Sequence, residues 1–299
     1  MTTRMRRAAG AAALGLLAAC GGDAERRAEV VSVGGAGFRE PESVLHDSVA
    51  DIYLVSNMNG QPLEKDGNGF VSRVSPEGEV VELRWIGAEA GVLNAPRGMG
   101  IGGDTLYVAD IDVIRRFHRS TGAPLGEIAI TGATFLNDVA VGPDGSIYVT
   151  DTGLRMGAGR MQSAGTEAIY RIRPGGEVQA LARGAELGSP NGILVDPDGS
   201  VIVAGMTSGV VYRMGADGSR TVLRTPRRGQ LDGLVRTRDG SLLVSEWKRG
   251  AIYRIHPDAD PEIAVRGLPS PADIGYDARR DRLLVPLLTV DRVELHPAP

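Results

Sequence analysis

Six times along the chain a small, polar or acidic residue leads into a run of alternating or continuous apolar side chains. The copies are Asp51-Ile52-Tyr53-Leu54-Val55-Ser56, Thr105-Leu106-Tyr107-Val108-Ala109-Asp110 and Ser146-Ile147-Tyr148-Val149-Thr150-Asp151, then Ser200-Val201-Ile202-Val203-Ala204-Gly205, Ser241-Leu242-Leu243-Val244-Ser245-Glu246 and Asp281-Arg282-Leu283-Leu284-Val285-Pro286. Short runs of this kind between turn residues predict strands. Their third residues stand at 53, 107, 148, 202, 243 and 284, so the intervals are 54, 41, 54, 41 and 41. Behind each copy comes an apolar-x-Arg strand: Val71-Ser72-Arg73, Ile114-Arg115-Arg116, Ile169-Tyr170-Arg171, Val211-Tyr212-Arg213, Ile252-Tyr253-Arg254 and Val290-Asp291-Arg292. Turns such as Pro143-Asp144-Gly145, Pro197-Asp198-Gly199 and Arg238-Asp239-Gly240 separate the strands, with Gly where positive φ is needed.

No stretch carries a helical period. A period near forty with several short strands per repeat predicts a propeller of four-stranded antiparallel blades, and six copies predict six blades. A sandwich or a β-helix fits that period poorly. The last blade has only three strands before the chain ends, so Val30-Val31-Ser32-Val33 is expected to supply its fourth and close the ring. The two long intervals come from longer connections, Asn57–Gly69 and Thr152–Glu167. In an up-and-down blade both should leave from the face on which the innermost strands begin, and should overhang the channel as lids.

Composition changes this picture only at the N-terminus. Arg4, Arg6 and Arg7 precede an apolar stretch, Ala8 to Ala19, too short to span a bilayer. It ends in Leu17-Ala18-Ala19-Cys20, which resembles a bacterial lipobox, and Cys20 is the only Cys in the chain. The expected organisation is a signal peptide over 1–19, a lipidated Cys and tether over 20–29, and the propeller over 30–299. The product would be exported and held on the periplasmic or cell-surface side of a bacterial membrane by lipid alone. With no second Cys there is no internal disulfide, so stability must come from the core. Removing three Arg takes the net charge from −4 to −7, which argues against nucleic acid as a partner. A small-molecule substrate and a monomer are expected. Gly34-Gly35-Ala36-Gly37 opens no helix and is not read as a nucleotide loop; His256, Asp258 and Asp260 are read as a solvated turn.

The candidate chemistry stands where each blade begins. The segments are Pro41-Glu42-Ser43-Val44, Pro96-Arg97-Gly98-Met99, Leu136-Asn137-Asp138-Val139, Pro190-Asn191-Gly192-Ile193, Leu231-Asp232-Gly233-Leu234 and Pro271-Ala272-Asp273-Ile274. Equivalent positions of a propeller form a ring about its axis, so the second column predicts a ring of Glu42, Arg97, Asn137, Asn191, Asp232 and Ala272. Turn chemistry accounts for Asn191-Gly192 and Asp232-Gly233, but not for Glu42 or Asn137. Two carboxylates and two amide oxygens converging on one axis suit a hard cation, calcium or another divalent ion. Zinc would want His or Cys, and His46, His118, His256 and His296 all stand outside the column.

Over about residues 38–296 these segments resemble the senescence-marker-protein (regucalcin)/gluconolactonase family. That resemblance implies a catalytic divalent ion held by Glu42, Asn137, Asn191 and Asp232, with Asp232 as general base or nucleophile. It also implies hydrolysis of a lactone, ester or phosphoester; Arg97, Phe135 and Asp138, in or beside the ring, are the expected contacts to substrate. Sugar-lactone members carry an Arg where this chain has Phe135. The competing expectation is a non-catalytic, NHL-like propeller that binds a ligand or protein through the same ring.

Overall fold

The computed structural model describes residues 29–87, 91–226 and 229–299; the signal segment, Cys20 and nearly all of the tether lie outside it. The described chain is all β, with two single-turn 3-10 helices and no α-helix. A short strand β1 (Val31–Gly34) comes first. Blade one is β2 (Pro41–Asp47), β3 (Ile52–Asn57), β4 (Phe70–Val74) and β5 (Val80–Ile86). Blade two is β6 (Pro96–Gly102), β7 (Thr105–Asp110), β8 (Val113–His118) and β9 (Pro124–Ala129). Blade three begins with β10 (Leu136–Val141) and β11 (Ile147–Asp151). A two-stranded hairpin, β12 (Leu154–Gly157) and β13 (Arg160–Ser163), then intervenes before β14 (Ala168–Ile172) and β15 (Val178–Arg183). Blade four is β16 (Pro190–Val195), β17 (Val201–Gly205), β18 (Val211–Met214) and β19 (Arg220–Arg224). Blade five is β20 (Leu231–Arg236), β21 (Leu242–Glu246), β22 (Ala251–Ile255) and β23 (Glu262–Arg266). Blade six is β24 (Gly275–Asp277), β25 (Arg282–Leu287) and β26 (Arg292–Pro297), with β1 as its outermost strand, antiparallel to β26 in the register Val31↔Leu295 to Gly34↔Arg292.

The apolar-x-Arg pattern misplaces one strand start. Leu288–Val290 forms a 3-10 turn, Asp291 is left-handed at φ 50°, and β26 starts only at Arg292. The short β24 is also no full ladder. Pro271 and Ala272 ahead of it still pair with β25, but Asp273 turns to blade one, where Val44 N–H donates to Asp273 O (3.2 Å) and Asp273 N–H to Glu42 O (2.8 Å). The seam of the ring is therefore stitched by backbone bonds near the axis and by β1 at the rim.

Burial is most complete in the second strands and falls towards the rim. Every residue of β3 and β11 is buried, whereas β9 is exposed over most of its length. The second strand of a blade is covered on both faces by its neighbours, so it needs apolar side chains on both; the outermost strand faces solvent. Six apolar clusters fill the six wedges between adjacent blades. One joins Ala109 and Ile114 of blade two to Leu136 and Val149 of blade three. At the seam, Val33, Val293 and Leu295 pack on Val44 and Tyr53. Near the axis the wedges become so narrow that only glycine fits. A Cβ on Gly98 would lie 2.5 Å from the Asp138 Cα, and one on Gly192 2.4 Å from the Asp232 carbonyl oxygen.

Candidate functional site

The floor of the site is the ring of second-column residues. The innermost strands of blades three, four and five pair with their neighbours through their last three residues, and the register shifts across the positions that carry the candidates: Leu136/Val139, Pro190/Ile193 and Leu231/Leu234. Freed from the ladder, these segments converge on the axis. Glu42, Arg97, Asn137, Asn191, Asp232 and Ala272 all line one cavity of about 310 Å³. Glu42, Arg97, Asn137, Asn191 and Ala272 are buried, while the Asp232 side chain stays partly open to the cavity.

Four oxygens in this ring are buried and lack any hydrogen-bond partner: Glu42 Oε2, Asn137 Oδ1, Asn191 Oδ1 and Asp232 Oδ1. Such groups are rare in folded proteins, because each carries an uncompensated desolvation cost of about 1–3 kcal/mol. The orientation of Asn137 follows from its neighbour. The Thr152 hydroxyl has one hydrogen and donates it to Pro190 O (2.9 Å), so it can only accept from Asn137 Nδ2 (3.0 Å). The amide oxygen of Asn137 is thereby directed away from Thr152. Two carboxylates and two amides form a donor set for a hard, oxygen-seeking cation. Among the described residues no group of three or more His, Cys, Asp or Glu side chains is placed to hold a metal. This set escapes that pattern because half of it is amide.

Burial also sets the charges. It pushes the Glu42 carboxyl well above the usual range, helped by the negative charges of Asp232 and Asp138 and opposed by Arg97. Burial, then the charge of Asp138, push Asp232 up to about 7 against Arg97 and the Asn191 side chain. Metal-free, the floor favours protons on its carboxyls, and a cation would replace them.

Arg97 is buried without an ion pair among the described residues. Its guanidinium stacks 3.8 Å from the centre of the Phe135 ring, donates to Leu136 O (3.4 Å), and donates to Pro62 O in the loop above. Burial pulls its pKa down, against the pull of Glu42, Asp110 and Asp232. It is held against the wall between blades two and three rather than on the oxygen set. Phe135 serves as the platform for this cation and lines the cavity itself.

Asp138, expected beside the substrate, is absent from this cavity. Consecutive residues of a strand point to opposite sides, so Asn137 faces one end of the channel and Asp138 the other. Its oxygens accept from Val139 N–H (2.6 Å) and Ile193 N–H (2.8 Å), and with Asp273 it lines a second cavity at the opposite end. Burial raises Asp138 to about 6 in spite of these two bonds. Cys20 lies outside the described residues.

A further ring is visible only in three dimensions. The first residue after the second strand of each blade is Met58, Ile111, Thr152, Met206, Trp247 and Leu288 in turn. Five of these donate their N–H to the carbonyl just before the entrance segment of the same blade: Met58 to Glu40, Thr152 to Phe135, Met206 to Ser189, Trp247 to Gln230 and Leu288 to Ser270. Met58, Met206, Trp247 and Leu288 line the cavity above the polar floor, and so does Gln230. The signal was in the sequence as a column four or five residues beyond the third residue of each strand motif. The two long connections reach the same cavity, one through Pro62 and the other through Leu154 and Met161 of the inserted hairpin.

The profile of the SMP-30/Gluconolactonase/LRE-like region matches residues 68–274. The chain belongs to this family. No curated protein matches it in sequence. Among solved structures it is similar to a gluconolactonase from Xanthomonas campestris, at 18% identity and TM-score 0.70, covering 90% of this chain and 89% of that one. It is also similar to the virginiamycin B lyase of Staphylococcus aureus, at 13% identity and TM-score 0.63, covering 89% and 98%. At these identities the likeness is one of fold. The matched family region holds Arg97, Asn137, Asn191 and Asp232; Glu42 precedes it.

Proposed function

We propose that this family member is a calcium-dependent lactone or ester hydrolase working at the channel floor. The four buried, unpartnered oxygens of Glu42, Asn137, Asn191 and Asp232 carry this reading. Those residues would hold the ion: two carboxylates balance a dication, and two amides add ligands without further repulsion. Once bound, the cation supplies Lewis-acid polarisation of the substrate carbonyl. Asp232 accepts the proton of the attacking water as the new C–O bond forms at the carbonyl carbon. The ring or ester C–O bond then breaks, and Asp232 returns the proton to the departing oxygen, so that lactone and water give a hydroxy acid. Arg97, fixed on Phe135, adds positive potential beside the oxygen on which charge develops. The Pro62 loop and the β12–β13 hairpin limit water above the floor.

The test is hydrolysis of a panel of lactones, aryl esters and phosphotriesters with calcium and with chelator. Turnover that chelator abolishes and calcium restores supports the reading. Calcium uptake without turnover of any member would favour the binding propeller instead. Export and acylation belong to the same proposal: labelled palmitate should be incorporated by the full chain in a bacterial host and not by Cys20→Ala.

A further inference from the structure

We propose that the substrate has an apolar body, alkyl or aryl, and that polyhydroxylated lactones are rejected. This rests on the hydrolase reading of the same cavity. The residues at the exits of the second strands occupy turn positions, where polar side chains are ordinarily favoured. Here Met58, Met206, Trp247 and Leu288 stand at four of the six, facing the cavity. Met206, Trp247 and Leu288 remain partly open, although burying them elsewhere would be favourable.

The inserted hairpin repeats the pattern. Its register, Leu154↔Ser163, Arg155↔Gln162, Met156↔Met161 and Gly157↔Arg160, puts Leu154, Met156 and Met161 with Ser163 on one face and Arg155, Arg160 and Gln162 on the other. Leu154 and Met161, from the apolar face, line the cavity. A lid made only to be soluble would have no reason to sort its side chains this way.

The polar groups are few and mostly committed. The floor oxygens are acceptors taken by the cation in the parent reading. Asn137 Nδ2 is spent on Thr152. Arg97 spends two donors on Leu136 O and Pro62 O, and the face of its guanidinium on Phe135. What remains for substrate is the rest of the Arg97 fork, suited to one carbonyl or oxyanion, the Gln230 amide, whose Oε1 is buried and unpaired, and the Trp247 indole N–H. A sugar lactone would bring several hydroxyls, each both donor and acceptor, into a cavity where these three side chains are the polar partners left. Each unpaired hydroxyl should lower affinity by about tenfold. An alkyl chain meets no such penalty, and each buried methylene should raise affinity by about fourfold. A volume of about 310 Å³ is at the small end of ligand sites, enough for a ring with a short chain.

The experiment compares γ-butyrolactone, γ-hexalactone, γ-nonalactone and glucono-δ-lactone as substrates of the calcium-saturated protein. The expected kcat/KM rises about fourfold per methylene through the γ-lactones until the cavity is filled, and glucono-δ-lactone lies at least 100-fold below γ-nonalactone. Met206→Ser should flatten the chain-length series, its loss growing from γ-butyrolactone to γ-nonalactone. Should that variant fail to fold, quenching of Trp247 emission in a Trp85→Phe background, titrated with non-hydrolysable γ-lactams of matching chain length, reads the same series as binding. A preference for glucono-δ-lactone, or a flat series in both measurements, overturns the apolar-body assignment and leaves the hydrolase standing. Absence of turnover for every lactone and ester, with or without calcium, overturns the hydrolase reading itself, and with it the substrate assignment.

Discussion

Asn137 and Asp138 are consecutive in the chain and equally buried, at 3% and 5% exposure. They lie at opposite ends of the same channel in opposite states. The Asp138 carboxylate has an N–H donor for each oxygen, one from its own blade and one from the next. Asp273 at the same end accepts from the Ser43 hydroxyl (2.5 Å) across the seam. These acids lock blade to blade. At the other end the oxygens of Glu42, Asn137, Asn191 and Asp232 are unmatched. A fold that satisfies one end so completely could have satisfied the other. The unmatched end carries a desolvation cost that a bound ligand would relieve on the proposed reading, and the matched end is where the protein gains stability.

The largest effects that could break this contrast are on activity. Asp232→Asn keeps an oxygen but removes the base, and should lower kcat/KM by about 10²–10⁴ with no loss of thermal stability. Glu42→Gln should act chiefly through the cation, so its deficit should shrink as calcium is raised. A large fall in the melting temperature of either variant, measured without calcium, would mean that these side chains are structural and would erase the difference between the two ends.

The contrast can next be read in pH. Asp232 near 7 and Asp138 near 6 are raised above the unfolded value of about 4, so folding favours their protonated forms. Their contribution to stability is full below about pH 4 and is lost as pH rises through 6 and 7. Surface acids held low by their partners, such as Asp239 beside Thr237, Ser241 and Arg254, work in the opposite sense at the acid end. The metal-free protein should therefore be most stable in mildly acid solution and should lose stability towards neutrality in thermal melts. Calcium, by favouring the charged carboxylates, should flatten that neutral limb, and Asp232→Asn should flatten it without calcium.

Calcium should raise stability by about 2.7 kcal/mol at one hundred times its dissociation constant. Calorimetry should show the gain preserved in Ser43→Ala, at the matched end, and much reduced in Glu42→Gln. Asp138→Ala sharpens the comparison from the other side. It leaves the Val139 and Ile193 N–H groups without acceptors, at about 1–3 kcal/mol each. Its melting temperature should fall while kcat/KM, measured well below the transition, stays within a few-fold of the parent. If activity collapsed instead, Asp138 would belong with the floor.

Much of this was legible in the chain. A spacing of 41 or 54 residues between like strands is a property of the sequence, and it is enough to specify six blades, because each blade repeats one local pattern of apolar alternation and turn. The floor column was legible for the same reason: equivalent positions of equivalent repeats must meet at the axis. The ring formed by Met58, Met206, Trp247 and Leu288 obeys the same periodicity, but it sits outside the strands, where an apolar residue can equally be an ordinary surface contact. Only the cavity distinguishes the two. The Val290-Asp291-Arg292 copy misled because a left-handed Asp291 and a 3-10 turn occupy what elsewhere is strand.

What the sequence determined by itself is periodic and local: blade number, strand chemistry, and the residue types offered to the axis. What tertiary structure decided is direction and partnership. Whether Asn137 or Asp138 faces the cavity depends on how Leu136–Val139 leaves its ladder, and whether an oxygen is paired depends on groups from the next blade. Arg97 shows this most directly. Its place in the column put a cation in the ring, but its guanidinium is drawn to the wall by the Phe135 ring and the carbonyls of Leu136 and Pro62, from blade three and the first long loop. Those contacts are remote in the chain. Their geometry is set by the packing of whole blades against one another, which no local pattern encodes.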